Sequence, residues 1–190
     1  FLPGSPERTE KIAAYFDDPK EIAYNREFRT FVGELDGVKV AVTSTGIGGP
    51  STAIAVEELY QCGADTMLRV GTCASTSRKV SLGDVVIPNG AVRMEGVSTH
   101  YLPIEFPAVP DFQVMQKLPE RSVDLVLTDP PYNIGVTITK ASFYTQTAPE
   151  TKPVGPELIY RWEAYEKGGA TSTSMECSVL FTVGASLGIR

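Results

Sequence analysis

Histidine is almost absent from this chain of 190 residues: His100 stands alone. One imidazole beside Tyr101 makes no Ser–His–Asp set that can be argued for. There is no H-E-x-x-H run and no cysteine–histidine cluster, which argues against a metal enzyme. His100 is therefore read as structural, or as supporting a site from outside it. Cysteine is scarce as well. Cys62, Cys73 and Cys177 are odd in number and form no C-x-x-C pair, so neither a disulfide framework nor a zinc site is expected. A reducing, cytoplasmic compartment fits best. Basic residues are outnumbered, 17 Lys and Arg against 23 Asp and Glu, for a net charge of −6. That argues against a nucleic-acid-binding surface, though a few placed arginines can still hold an anion. No apolar run approaches the roughly 18 residues a spanning helix needs, so no membrane partner is expected. G-x-G-x-x-G and a Walker lysine are also missing.

What is present is ordinary globular composition, with 42 % hydrophobic and 21 % charged residues. The length suits a single domain over residues 1–190. The ends, Phe1-Leu2-Pro3-Gly4 and Leu187-Gly188-Ile189-Arg190, read as truncated. Proline first, early acids and spaced apolar residues predict a short helix over residues 6–16. Val38–Ser44 predicts a strand, Thr52–Cys62 a helix and Thr66–Val70 a second strand. Strand, glycine turn, helix and strand make a βαβ unit, hence an α/β layered fold. Further strands are predicted over Asp84–Ile87, Ala91–Met94 and Val136–Thr139. Three prolines between 103 and 110 predict an ordered loop. Glu157–Lys167 and Ser174–Leu187 predict helices.

Several residues could carry chemistry. Gly46-Ile47-Gly48-Gly49 lies between strand and helix, where free N–H groups can bind an anion or simply make a tight turn. Gly4 before the first helix is open to the same two readings. Arg69 ends an apolar strand just before Gly71-Thr72, the kind of place where α/β sheets bind ligands; a phosphate or a structural ion pair would satisfy it. Glu176 interrupts an apolar stretch, so a sugar's hydroxyls or a buried cation are its candidate partners. Arg8 and Arg26 taken alone read as solvated arginines.

Taken together these stretches resemble the uridine phosphorylase branch of the nucleoside phosphorylases. The matching runs are Leu2-Pro3-Gly4-Ser5-Pro6-Glu7-Arg8, Asn25-Arg26-Glu27-Phe28, Ser44 to Ser51 and Ala55 to Leu59. They continue, in family order, with Leu68-Arg69-Val70-Gly71-Thr72, Gly83-Asp84-Val85-Val86, Glu105 to Val109, Ser142-Phe143-Tyr144 and Met175-Glu176. The resemblance covers residues 1–116 and 136–190. It implies a three-layer αβα domain around a mixed central sheet. It also implies phosphorolysis of a pyrimidine nucleoside, uridine foremost, to base and ribose 1-phosphate, with inorganic phosphate as co-substrate and no cofactor or metal. Gly4, Arg8, Arg69 and Thr72 match the phosphate site, with Arg26 crossing from a neighbouring subunit of a homo-oligomer, a hexamer built from dimers. Met175 and Glu176 match the ribose site, Phe143 and Gln146 the base site. Arg69 and Glu176 are the residues expected to be catalytic.

The chain departs from the family's pattern at points that bear on the base. Ser5 stands where Asp is usual, and Ala74-Ser75 replaces a glycine pair. Thr145-Gln146-Thr147 replaces Gly-Gln-His, and Thr151 replaces an arginine that contacts uracil in relatives. A different base preference, or a nucleoside-binding homologue with impaired catalysis, are the alternatives. Residues 118–135 are anomalous: a strand expected over Val123–Thr128 and Asp129-Pro130-Pro131-Tyr132 resemble the motif of amino-group DNA methyltransferases, whose aromatic stacks on a flipped base. No S-adenosylmethionine loop accompanies it, so methyltransferase activity is a remote alternative. Two prolines in place of a helix predict a loop-like, poorly packed stretch there.

Overall fold

The computed structural model describes the backbone of residues 1–125 and 131–190 and the side chains of residues 1–118 and 131–190. Its first helix, α1 (Pro6–Ala13), opens on a proline with Glu7 in the first turn and Lys11 in the last, matching the helix dipole at both ends. It stops short of the expected residue 16, because Phe16 leaves the helix to join a small core with Ala13, Phe31 and Val42. Three antiparallel strands follow, β1 (Asp17–Asn25), β2 (Phe28–Leu35) and β3 (Val38–Thr43), in the order β1-β2-β3. The β2–β3 hairpin turns on Asp36-Gly37, with φ of 52° and 76°. Positive φ at both turn residues matches the strand twist, and Asp-Gly tolerates it. Every residue of β1 is exposed, and its pairing with β2 is irregular at two places.

After β3 the chain turns at Gly46 and Gly48 into α2 (Gly49–Gln61), which starts three residues before the expected Thr52. Ala53 and Val56 of α2 pack against Val179, Leu180 and Val183 of α6 (Cys177–Leu187), with Leu2 and Met67 completing the larger core. Gly188, at φ 70°, ends α6 in the left-handed conformation. The mixed sheet expected for an α/β fold is β4 (Ala74–Ser75), β7 (Ser172–Ser174), β6 (Tyr132–Lys140) and β5 (Val85–Met94), in the order β4-β7-β6-β5. The β5–β6 and β6–β7 pairs are parallel and β4–β7 is antiparallel. The helices α3 (Phe112–Leu125), α4 (Tyr144–Thr147) and α5 (Gly155–Lys167) lie between these strands in sequence.

Four expectations need correction. Thr66–Val70 is not a paired strand; one parallel bridge joins Arg69 to Leu2, because Leu2 alone runs beside it. The strands expected over Asp84–Ile87 and Ala91–Met94 are one strand, continuous through an irregularity between Pro88 and Gly90. The helix expected from Ser174 begins at Cys177, because Ser172–Ser174 pairs with Thr137–Thr139. Residues 118–135 are not loop-like throughout. α3 opens where the Asp111 carboxylate accepts the Val114 N–H at 2.9 Å and runs to Leu125, so residues 123–125 of the expected strand are helical. At the far end Tyr132–Gly135 pairs in parallel with Val85–Pro88. The remainder of the strand expected over Val123–Thr128, with Asp129 and Pro130, lies outside the described residues.

The buried half of β6 carries its packing: Ile138 is fully buried while Ile134 is 47 % exposed. Ile138→Ala should lower stability by about 2–5 kcal/mol, and Ile134→Ala by clearly less, in urea unfolding monitored by circular dichroism.

Candidate functional site

The segment Phe1–Gly4 positions the site. Its carbonyls accept amide bonds from the end of β3 and the turn beyond, Thr43 to Phe1 at 2.9 Å, Thr45 to Pro3 at 2.8 Å and Gly46 to Gly4 at 3.0 Å. On its other side Leu2 bonds Leu68 and Val70, at 2.8 and 3.1 Å. Three stretches far apart in sequence are thereby fixed side by side, and Gly4, Gly46 and Arg69 meet at one end. Glycine is required there. A β-carbon on Gly46, whose φ is 69°, would meet Glu27 Cγ at 2.6 Å and Ser51 Oγ at 2.9 Å. One on Gly71 would collide with the Arg69 guanidinium.

A cavity of about 770 Å³ opens at this junction. That suits a ligand of nucleoside size. Its walls include Gly4, Arg8, Arg69, Thr72, Phe143, Met175 and Glu176, so seven residues singled out from the sequence converge. Ser5 and Ala74 line it too. Gln146 does not: it lines a smaller adjoining cavity with Thr145, Leu158 and Trp162, and touches the first through Lys140. Arg26 is exposed at the β1–β2 turn with φ 54°, outside the cavity wall, while its neighbour Glu27 is part of that wall. Thr151 is exposed in a short 3-10 turn, and His100 is exposed in another; neither lines the cavity. Sequence reasoning missed Glu27, Lys140 and Thr173. For Lys140 the available signal was a charge closing a β-branched run at a strand end.

Arg69 and Glu176 form an ion pair, Nη2 to Oε2 at 2.5 Å, with side chains only 11 % and 7 % exposed. The junction between β7 and α6 presents Glu176. Its Oε1 accepts the Gly48 N–H at 3.0 Å and its Oε2 accepts the Met175 N–H at 3.2 Å. Three donors thus hold the carboxylate and leave it further acceptor capacity, whereas Arg69 Nε is buried with no hydrogen-bond partner. A buried guanidinium N–H left unmet costs about 1–3 kcal/mol. Gly4, the guanidinium and Thr72 lie on one wall of the cavity, a combination of charge and potential donors.

Burial pushes the Lys140 ammonium below its ordinary pKa, and the charge of Glu176 partly offsets this. Burial also raises the Cys73 and Cys177 thiols, so neither is poised as a thiolate nucleophile. The Ser51 hydroxyl donates to Glu27 Oε1 at 2.6 Å and holds that carboxyl below its usual range. Among the described residues no group of three or more His, Cys, Asp or Glu is placed to hold a metal, and no helix is long and apolar enough to cross a membrane.

The site is an arginine–carboxylate cleft of nucleoside size, enclosed by the strand ends and glycine turns of an α/β fold. The phosphorylase superfamily model matches residues 1–190, and the chain belongs to that family. It is 44 % identical to a uridine phosphorylase of Treponema pallidum, across the whole chain and 72 % of that relative. It is 41 % identical to the uridine phosphorylase of Escherichia coli, across the whole chain and 75 % of that protein. A guanosine phosphorylase of Halorubrum lacusprofundi matches the whole chain at 33 %, over 73 % of its own length.

Glu176→Ala should cost about 3–5 kcal/mol of stability, because it leaves the Arg69 charge buried without its partner. The double substitution Arg69→Met with Glu176→Leu should recover most of that loss, as read from urea unfolding.

Proposed function

We propose that this protein catalyses the phosphorolysis of a pyrimidine nucleoside, uridine foremost, yielding the free base and ribose 1-phosphate. The observation that carries the reading is the convergence of two arginines, Arg8 and Arg69, with Gly4 and Thr72 on the wall of one cavity. Inorganic phosphate suits that cluster and acts as co-substrate, and the reaction calls for no metal or organic cofactor. A phosphate oxygen attacks the anomeric carbon while the bond to the base breaks, through a transition state with positive charge on the sugar. Held beside the sugar, the phosphate dianion stabilises that charge and spares the loss of free motion. Glu176, fixed by two backbone amides, accepts from the 2′ and 3′ hydroxyls and orients the ribose, with Met175 beside it. Phe143 provides a face for the base, and Gln146 reaches it through the Lys140 contact.

The oligomer is part of this proposal. Arg26 is exposed at the β1–β2 turn, next to a residue of the cavity wall, and a homo-oligomer with two-fold pairs lets it reach a neighbouring phosphate site. Three unpaired cysteines suit a cytoplasmic setting. The match to a guanosine phosphorylase, together with Thr151 standing outside the cavity, supports a second reading of the same chemistry on a different base.

With uridine, uracil and ribose 1-phosphate should appear in equal amounts and only when phosphate is present. Release of base without phosphate, or none from a folded oligomer, would overturn the assignment. Arg69→Met should lower kcat/KM by roughly 100- to 1000-fold, the cost typical of losing one preorganised donor to transition-state charge. Gly71→Ala, which forces the guanidinium aside, should raise the KM for phosphate in steady-state assays. Guanosine tested in parallel separates the two base readings.

A further inference from the structure

Lys140 closes β6 and is only 6 % exposed, although it bears an ionisable amine. Its ammonium donates to Thr173 Oγ1 at 3.1 Å and contacts Gln146 Oε1, and it lies 5.5 Å from the centre of the Phe143 ring. No salt bridge engages it among the described residues. An ammonium has three protons. Two are spoken for here, which leaves one, and the side chain lines the main cavity beside Phe143, Met175 and Glu176. Burying a lysine without a carboxylate partner is costly, and a methionine or glutamine would fill the same space.

The proposed reaction produces negative charge at two places. Phosphate brings one, and Arg69 and Arg8 answer it. The other develops on the base: as the phosphate oxygen bonds to C1′, the C1′–N1 bond breaks and its electron pair passes to N1, spreading to the carbonyl oxygen O2. Solvent later protonates the released anion. We propose that Lys140 is the catalytic cation for the departing base, donating its remaining N–H to the pyrimidine carbonyl and stabilising the anion as the glycosidic bond breaks. A planar base laid on Phe143 comes within reach of that ammonium, and Thr173 with Gln146 fixes its direction. This inference rests on the phosphorolysis reading and adds a residue to it.

The test compares the unaltered protein with Lys140→Met, Lys140→Gln and Lys140→Arg, on uridine and on 5-fluorouridine, whose base is the more acidic and leaves more readily. Melting curves confirm that each variant is folded. Gln keeps hydrogen bonding without charge and guards against misfolding of the Met variant. Both neutral variants should lose roughly 100- to 1000-fold in kcat on uridine, in line with the loss of one preorganised charge. The loss on 5-fluorouridine should be much smaller, the KM for phosphate should stay unchanged, and Arg should restore most of the rate. An equal loss on both nucleosides, or full activity in the neutral variants, would overturn the role of Lys140 while leaving phosphorolysis standing. If the unaltered protein releases no base with phosphate, the functional reading itself fails and the lysine's role falls with it.

Discussion

The buried pair of Arg69 and Glu176 is the contact on which the site's organisation depends. It joins the segment after α2 to the junction of β7 and α6, two parts of the chain that meet only through tertiary structure. Isolated, each charge would be costly to bury; together, with the Gly48 and Met175 amides on the carboxylate, they are tolerated. The arrangement is asymmetric. Glu176 is held by three donors, while the buried Nε–H of Arg69 has no acceptor. A salt bridge built only for stability would satisfy both ends.

The Phe1–Gly4 segment is the mechanical counterpart of that pair. Hydrogen bonds on both sides lock it between β3 and residues 68–70, so the glycine turn at 46–48 and the arginine are positioned by backbone rather than by flexible side chains. Rigid placement matters because charge stabilisation falls off steeply with misplacement of the donor. The same logic explains Gly46 and Gly71, where a single added carbon would push into Glu27 and Ser51 or into the Arg69 guanidinium.

Much of this was legible in the residues. The helices α2 and α6 were readable from apolar spacing, α1 from its proline and early acids, and α5 from its Gly168-Gly169 stop, as was the β-branched part of β6. Seven of the expected site residues share one cavity. The β1–β2 hairpin was not readable, because Asp17-Asp18-Pro19-Lys20-Glu21 is polar on both faces and shows no alternation. Thr66–Val70 looked like a strand because composition reports β-preference, whereas pairing depends on what lies alongside. Arg69 and Glu176 each invited two readings, ligand or ion pair. That they partner one another is a fact of three dimensions, and so is the burial of Lys140, which in sequence is a charge ending a strand. The stretch after Asp111 shows the reverse case, a helix that runs through the first three residues of an expected strand.

The outer strand β1 has one more consequence. It lies at the open margin of the antiparallel sheet, with Ile22 and Tyr24 well exposed. A margin of that kind is an invitation to fibril-like stacking. Here Pro19 removes an amide donor, the pairing slips at two places, and Asp18, Lys20 and Glu21 scatter charge along it. These are the devices by which proteins keep a free sheet margin from recruiting strands of other molecules. Smoothing this strand into a regular, uncharged one would leave the cavity untouched and make the protein prone to aggregate.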